Sequence, residues 1–271
     1  MNLRCFVSNT KEITDSISPS DRSSNLCPRV LGIQWHSVAD NFKLDVNMDT
    51  TGFISKRTIA QQIASIYDPL GWFIPLMIKA KHFQQLLWKE HYEWDETLCE
   101  THKQQWISIV NELSGFEKSV SRCITRSTVS NTLVTYCDAS SLAMTVCTYL
   151  TSEEDFNFLM GKSKLTDIRR LTTIPKMEMN AVTIGARLTL NVSLSLKSSI
   201  SISKVIILTD SEVALKWLKC SQQRQTTGLY IKNRVREVHK VFRLLEDMDV
   251  EVFFGYIDTR WNPADVGTRV H

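Results

Sequence analysis

The chain of 271 residues is 43% hydrophobic and carries 32 basic and 29 acidic residues, a near balance that permits a nucleic-acid partner without requiring one. It has no apolar run of the roughly 20 residues that a membrane-spanning helix needs, and no apolar signal-peptide core at its amino terminus. Its seven cysteines are scattered without zinc-site spacing, so we expect a soluble protein of the cytoplasm or nucleus.

The first half of the sequence predicts two short strands followed by helices. After a polar, irregular start, the strands are expected in RVLGIQWHS (29–37) and NFKLDVN (41–47). Apolar residues then recur at helical spacing, which predicts three helices, over about 55–67, 75–88 and 96–113. Residues 118–130 are rich in Ser and Thr without periodicity, and they are the expected linker between a region 1–117 and a domain 131–271.

The second half predicts three consecutive strands, then alternating helices and strands. The strands are expected in TLVTYCDA, AMTVCTYLTS, FNFLMGKSKL, KVIILTDS and VEVFFGYID. Helices are expected in PKMEMNAVTIGARLTLNVS, in EVALKWLKC and over about 229–248, and NPADVGTR begins like a helix. This order predicts an α/β domain with a mixed sheet and helices on its faces.

Two acids stand at predicted strand ends. Asp138 ends the first strand of this domain, and Asp210 ends the strand that follows the first helix. If the two strands are parallel neighbours, these acids lie side by side, because the carboxyl ends of parallel strands meet at one sheet edge, where ligands bind.

Two further acids fall in predicted first turns of helices. Glu178 lies near the start of the first helix, and small side chains at Ala181 and Gly185 on the same face would let that helix lie close to the sheet. Asp265 follows Pro263 after the last strand. Each acid alone also fits a solvated charge or a helix amino end, where a negative charge complements the dipole.

Four clustered carboxylates need a cation to neutralise them, because buried like charges repel one another. All-oxygen ligands favour Mg²⁺, and four carboxylates can hold two such ions about 4 Å apart for phosphodiester cleavage.

The order of these acids along the chain resembles that of the ribonuclease H fold. The amino-acid sequence of several segments resembles the BEL/Pao group of LTR retrotransposons. The matching segments are RVLGIQW, IASIYDPLGWFIPLMIKAK, CDASSLAMTVCTYL, KSKLTDIRRLTTIPKMEM, LTDSEVALKWLK, NRVREV and NPADVGTR. The resemblance implies a mixed five-stranded ribonuclease H-like sheet with helices on both faces, preceded by a mainly helical, thumb- or connection-like end of a reverse transcriptase.

The resemblance also implies metal-dependent cleavage of the RNA strand of RNA–DNA hybrids. The four acids would be both the catalytic residues and the ligands of two Mg²⁺ or Mn²⁺ ions. Basic residues that could contact phosphates cluster between the third strand and the first helix: Lys162, Lys164, Arg169, Arg170 and Lys176. A solvated loop is the alternative for each of them.

The sequence departs from the family pattern in three places. The Tyr-x-Asp-Asp turn of reverse transcriptases is absent, so polymerisation would need a palm on another chain. The loop before the last acid lacks a His, and Tyr256 stands near that place. The sequence ends six residues after Asp265, so we expect a short last helix.

Other functional interpretations stay open. They are a non-catalytic remnant that keeps the fold and nucleic-acid binding, a host-recruited interaction module, and, more weakly, a Pao-type aspartic peptidase. The peptidase interpretation is weaker because Asp138 and Asp210 lack the glycine of an Asp-Thr/Ser-Gly turn.

Overall fold

The computed structural model describes residues 4–125, 130–153, 155–169, 172–220 and 228–269. Its helices are α1 (Lys11–Ser16), α2 (Lys56–Ser65), α3 (Ile74–Lys89), α4 (Glu100–Leu113), α5 (Ile174–Leu196), α6 (Glu212–Cys220) and α7 (Leu229–Glu246). Its strands are β1 (Arg29–Val30), β2 (Ile33–His36), β3 (Asn41–Asp45), β4 (Glu117–Ser121), β5 (Asn131–Ala139), β6 (Ala143–Thr151), β7 (Phe156–Leu165), β8 (Ile202–Thr209) and β9 (Glu251–Tyr256). Within these described ranges, no helix has the length and apolar character to cross a membrane.

The chain divides into two compact units. The first unit comprises Met1–Tyr67 and Trp94–Ile124, and the second comprises Asp68–Glu93 and Thr125–His271. The sequence prediction differs here, because it placed the segment 68–93 with region 1–117.

The first unit contains a four-stranded antiparallel sheet in the order β1-β2-β3-β4. Strand β4 pairs with β3 from Asn41 opposite Ser121 to Asp45 opposite Glu117. Residues 118–121 therefore belong to a strand and not to the predicted linker, of which 126–129 lie outside the described residues. The strand escaped prediction because its sequence, EKSVS, is mostly exposed and lacks apolar alternation.

Helix α2 of the first unit begins as its sequence predicts. The Ser55 hydroxyl accepts a hydrogen bond from the Thr58 backbone N–H, and the Thr58 hydroxyl accepts one from the Ser55 N–H. This reciprocal capping satisfies two helix-end donors that would otherwise have no partner. It explains why the helix starts directly after Ser55.

The second unit is built on a five-stranded mixed sheet in the order β7-β6-β5-β8-β9. The first three strands along the chain pair antiparallel, whereas β8 runs parallel to both β5 and β9. Helix α5 packs on β5, β6 and β8, and α7 packs on α5. The predicted α/β mixed sheet is confirmed.

Helix α5 lies very close to the sheet. A Cβ atom at Gly185 would stand 2.4 Å from the Cys137 sulfur, so no larger residue fits without movement. Ala181, one turn earlier, is fully buried. The predicted role of these small side chains is confirmed, because they let α5 approach the strand that carries Asp138.

The turn before α3 is tightly formed against β7. The Asp68 carboxylate accepts hydrogen bonds from the backbone N–H groups of Trp72 and Phe73, at 2.7 and 2.9 Å. Gly71 has a φ of +76°, and a Cβ there would lie 2.3 Å from the carbonyl oxygen of Gly161 in β7. Only glycine is compatible with this backbone and this approach.

Helix α3 itself contacts β7 and the last turn of the unit. A Cβ at Gly267 would stand 2.8 Å from the Ile74 side chain, so the start of α3 presses on the segment that follows Asp265. The Gln85 side chain also donates to the carbonyl oxygen of Thr166, at 2.6 Å. These contacts explain why the segment 68–93 groups with the second unit.

Candidate active site

Asp138 and Asp210 occupy neighbouring positions at one edge of the sheet of the second unit. Cys137 of β5 pairs in parallel register with Thr209, the last residue of β8, and each acid is the next residue along its strand. The two strands are therefore parallel neighbours, which is the condition under which the sequence places the two acids side by side.

Asp138 is a buried carboxyl group with negative neighbours. Its residue is only 6% exposed, and its carboxylate accepts a hydrogen bond from the Thr268 hydroxyl. The pKa of Asp138 is raised to about 6, first by burial and then by the charges of Asp210 and Asp265. The hydrogen bond from Thr268 opposes this rise in the pKa. Asp210 and Asp265 therefore both lie within electrostatic range of Asp138.

The segment that carries the last acid is fastened to the β5–β6 hairpin by side chains. The buried Asn262 amide donates to the carbonyl oxygen of Cys137, at 3.1 Å. The Thr145 hydroxyl donates to the carbonyl oxygen of Gly267, and the Ser140 hydroxyl donates to the next carbonyl oxygen, each at 2.7 Å. These bonds bring the last acid to the strand end that carries the first.

Asp265 begins a short 3₁₀ turn (Asp265–Gly267) where the sequence predicted the start of a helix. Its Oδ1 atom forms an ion pair with Nη2 of Arg269 at 2.7 Å, and its side chain is 20% exposed. Hydrogen bonds from the β5–β6 hairpin hold this turn in place, so it does not need the backbone hydrogen bonds of a longer helix.

Asp210 and Glu178 are each held by one hydroxyl group. The Thr259 hydroxyl donates to Oδ2 of Asp210 at 2.6 Å, and the Ser211 hydroxyl donates to Oε2 of Glu178 at 2.5 Å. Glu178 lies in the second turn of α5 and not in the first, because the helix begins at Ile174, before the proline. The bond from Ser211 nevertheless draws Glu178 to the end of β8.

The family comparison identifies the region that carries these acids. A family model described as "Pao retrotransposon-like RNaseH-like domain" matches residues 55–211, more than half of the chain. The chain belongs to this family. The matched part of the Pao domain includes Asp138, Glu178 and Asp210, and it ends before Asp265. The resemblance seen in the sequence is therefore confirmed.

Solved structures with a similar arrangement include reverse transcriptases and ribonucleases H. A foamy viral protease-reverse transcriptase in complex with RNA/DNA hybrid is 10% identical, with 86% of this chain and 30% of that chain covered and a TM-score of 0.48. LC11-RNase H1, isolated from compost by a metagenomic approach, is 16% identical over 51% of this chain and 91% of that chain, with a TM-score of 0.37. RNase H1 from Halobacterium salinarum is 9% identical over 50% and 91%, with a TM-score of 0.35. No curated protein matches the sequence.

The carboxylate oxygens of the four predicted acids are chemically suited to a divalent cation. Carboxylate oxygens are the ligands that Mg²⁺ prefers, and a dication would offset the burial and the repulsion that raise the pKa of Asp138. Yet among the residues that the structure describes, no three His, Cys, Asp or Glu side chains are arranged to hold an ion. The acids are instead turned to protein partners, namely Thr268, Ser211, Thr259 and Arg269.

The predicted basic residues that the structure describes are all exposed. Lys162 and Lys164 are exposed on β7, Arg169 is exposed in the turn after it, and Lys176 is exposed in the first turn of α5. Arg170 lies outside the described residues. Their proposed contacts with phosphates stay predictions.

Sequence reasoning missed the residues that hold the acids. Asn262 and Thr268 lie more than 100 positions from the strand that they contact, so no local pattern points to them. Ser211 did carry a signal, because a hydroxyl residue directly follows the acid at the end of β8. The partner of that hydroxyl, Glu178, became visible only with the fold.

Proposed function

We propose that the second unit is a metal-dependent ribonuclease H that cleaves the RNA strand of RNA–DNA hybrids. The observation that carries the proposal is the burial of Asp138 beside the charges of Asp210 and Asp265 at the carboxyl edge of the sheet. A protein gains nothing in stability from crowding carboxylates in this way, so a functional ligand is the physical reason to keep them. Membership of the Pao retrotransposon-like RNaseH-like family supports this class of reaction.

Within this proposal, Asp138, Glu178, Asp210 and Asp265 would hold Mg²⁺ or Mn²⁺, two ions in the full site. When bound, the ions would activate a water molecule and stabilise the leaving oxygen of the phosphodiester. The protein's own part is orientation, because the Ser211 hydroxyl directs the carboxylate of Glu178. The neighbouring Asn262 bond keeps the segment of the last acid in place.

The substrate preference would come from groups outside the four acids. The 2′-hydroxyl and the shape of the groove distinguish an RNA strand from a DNA strand. The exposed cations Lys162, Lys164, Arg169 and Lys176 would contact phosphates, which makes the binding of hybrids dependent on salt.

A labelled RNA–DNA hybrid tests this function directly. The full chain should cut the RNA strand in millimolar Mg²⁺ or Mn²⁺, should leave duplex DNA uncut, and should lose activity in EDTA. Asp138→Asn and Asp210→Asn should each abolish cutting, whereas Asp247→Asn, an exposed change of the same charge, should not. Cutting that persists in both of the first two variants would show that these acids are not the catalytic groups.

A non-catalytic remnant is the second candidate, and one observation favours it. Each of the four acids already has a hydroxyl or guanidinium partner. Hybrid binding without any cutting at millimolar metal would select this candidate. The aspartic peptidase has no supporting observation, since the glycine of its turn is missing after both strand-end acids.

Two further parts of the proposal concern the setting of the domain. A reverse-transcriptase palm would be a partner of this domain, since the Tyr-x-Asp-Asp turn does not occur in these 271 residues. The cytoplasmic or nuclear location expected from the cysteines stays a prediction.

A further inference from the structure

Two exposed aromatic side chains lie beside the strand end that carries Asp210. Tyr256 is the last residue of β9 and pairs in register with Thr209, and it is 55% exposed. Trp261 ends the 3₁₀ turn Thr259–Trp261 and is 75% exposed. The sequence drew attention to Tyr256, whereas Trp261 had no predicted role. A large aromatic side chain that is left this open to water is available to a ligand.

The backbone of Trp261 is fastened to both strands that carry acids at their ends. Two residues earlier, the Thr259 hydroxyl donates to Oδ2 of Asp210 at 2.6 Å. The next residue, Asn262, is buried and donates to the carbonyl oxygen of Cys137, which directly precedes the first acid, at 3.1 Å. Trp261 therefore lies between two attachments to the acid-bearing edge of the sheet, while its side chain stays exposed.

The turn is also stiffened from within by Asp258. The Asp258 carboxylate accepts hydrogen bonds from the backbone N–H, the Nε and the Nη2 of Arg260, at 2.9, 3.0 and 3.0 Å. The Trp261 N–H closes the turn by donating to the Asp258 carbonyl oxygen, at 2.9 Å. An aromatic group on a backbone that is already ordered loses little conformational freedom on binding, so more of its contact energy contributes to affinity.

The turn lies close enough to the acids to meet the same nucleic-acid strand. The Cα atoms of Trp261 and Thr259 are at most about 7.6 Å apart, because consecutive Cα atoms are separated by about 3.8 Å. The Thr259 side chain and its hydrogen bond then reach Asp210. Phosphates of one strand follow each other about every 3.4 Å along a duplex axis, so the indole comes within a few nucleotides of a phosphodiester at the acids.

An indole is suited to a sugar of that strand. Its apolar face can pack on the ring, and its Nε1–H can donate to a hydroxyl group. A duplex of A-form geometry has a wide, shallow minor groove that displays sugars and their 2′-hydroxyl groups, while the bases stay stacked. A sugar is therefore the part of the RNA strand that an indole reaches without unstacking a base.

We propose that the indole of Trp261 packs on a sugar of the RNA strand within a few nucleotides of the scissile phosphodiester and so holds the hybrid beside the acids. The inference rests on the proposed function for its ligand, the hybrid. It adds a positioning residue that neither holds metal nor touches the bond that is cut.

Binding measured without cleavage tests this role. A fluorescent RNA–DNA hybrid is titrated with the full chain in EDTA at several salt concentrations. Trp261→Ala should weaken binding at least about fivefold without changing the salt slope, because it removes an aromatic contact and no ion pair with phosphate. Trp261→Phe, which keeps an aromatic face, should weaken binding less.

The matched control removes an exposed aromatic group elsewhere on the same sheet. Phe156 is exposed at the start of β7, in register with Thr151, at the opposite end of the sheet from the acids. Phe156→Ala should change the affinity by less than about twofold. Trp261→Ala should also weaken the binding of duplex DNA of the same sequence by less than about twofold, since that duplex has no 2′-hydroxyl groups.

Cleavage in Mg²⁺ separates positioning from damage to the site. Trp261→Ala should raise KM by the factor lost in affinity and leave kcat within about twofold, because the acids are untouched. A disturbed turn would instead reach Asp210 through Thr259 and lower kcat.

Unchanged hybrid affinity in Trp261→Ala, or a fall in kcat without a rise in KM, would overturn the inference. An equal loss on duplex DNA would overturn its assignment to a sugar of the RNA strand. If binding depends on Trp261 but the unaltered chain does not cut, the inference stands and the proposed nuclease function fails. If the chain cuts and Trp261→Ala binds normally, the inference fails alone, and a chain that binds no hybrid contradicts both.

Discussion

Removing the charge of Asp138 should make the second unit more stable while it abolishes cleavage. The folded pKa of this carboxyl is about 6, which lies above its value in an unfolded chain, near 4. Between about pH 4 and 6 the folded state therefore holds more protons, so its stability falls as the pH rises. The difference between a pKa near 4 and one of about 6 corresponds to about 3 kcal/mol in free energy of unfolding. The folded state has lost all of this stability above about pH 6.

Asp138→Asn removes this penalty, and the amide oxygen can still accept the hydrogen bond from Thr268. At pH 7.5 the variant should gain up to about 3 kcal/mol in free energy of unfolding, and near pH 4 the gain should vanish. The measurement is native-state hydrogen exchange of the β5 and β8 amides in EDTA at pH 4.5, 6.0 and 7.5, because it reports on this unit alone.

The control and the metal complete this test. Asp247→Asn, which is exposed, should change stability by less than about 0.5 kcal/mol at every pH. Mg²⁺ should stabilise the unaltered chain at pH 7.5 and not Asp138→Asn, because binding to the folded state alone raises its stability. A variant that is no more stable at pH 7.5 than the unaltered chain would refute the claim that crowded charge strains this site.

Three other substitutions test how the unit is assembled. Gly71→Ala should lower the free energy of unfolding, measured in urea, by about 3 kcal/mol or more, because alanine would meet both a left-handed backbone and a backbone clash. Gly115→Ala, at a φ of +83° with open space around it, should lower it by less. Asn262→Ala should cost about 1 to 3 kcal/mol by removing two buried hydrogen bonds, one to the Cys137 carbonyl oxygen and one from the Ala264 N–H, and it should slow hybrid cleavage; unchanged cleavage would contradict its role in placing the last acid. Arg269→Gln should tighten Mg²⁺ binding in calorimetry, because it frees the carboxylate of Asp265. Arg260→Gln, whose partner Asp258 lies outside the acid cluster, should not. Equal Mg²⁺ affinities of the two variants would show that the ion pair of Asp265 does not compete with the metal.

The positions of the acids along the secondary structure were predictable because local patterns carry them. Strand-forming runs that end in Asp138 and Asp210 mark the carboxyl edge of a sheet through residues that are adjacent in the chain. Gly185 likewise indicated a close approach of helix and strand, because a small residue on a buried face has few other uses.

The grouping of the segment 68–93 was not predictable from its own sequence. Its helix has the apolar residues of any buried helix, and the partner surface is set by the close approach of Gly71 and Gly161, 90 residues apart. Periodicity shows that a helix has a buried face, but it does not show which surface covers that face.

By itself, the sequence determined the order of strands and helices from β5 to β9, the strand-end acids and the small residues that bring α5 to the sheet, because each depends on neighbours within a few positions. Only the tertiary structure decided how the acids are held, since Asn262, Thr268 and Arg269 act through contacts with distant backbone or with a turn that exists only in the folded chain. It also placed Lys162 of β7 and Arg234 of α7 along one cavity of about 310 Å³, although these elements are far apart in the chain. Hydrogen bonds and charges act over a few ångströms of space, whatever the separation along the chain.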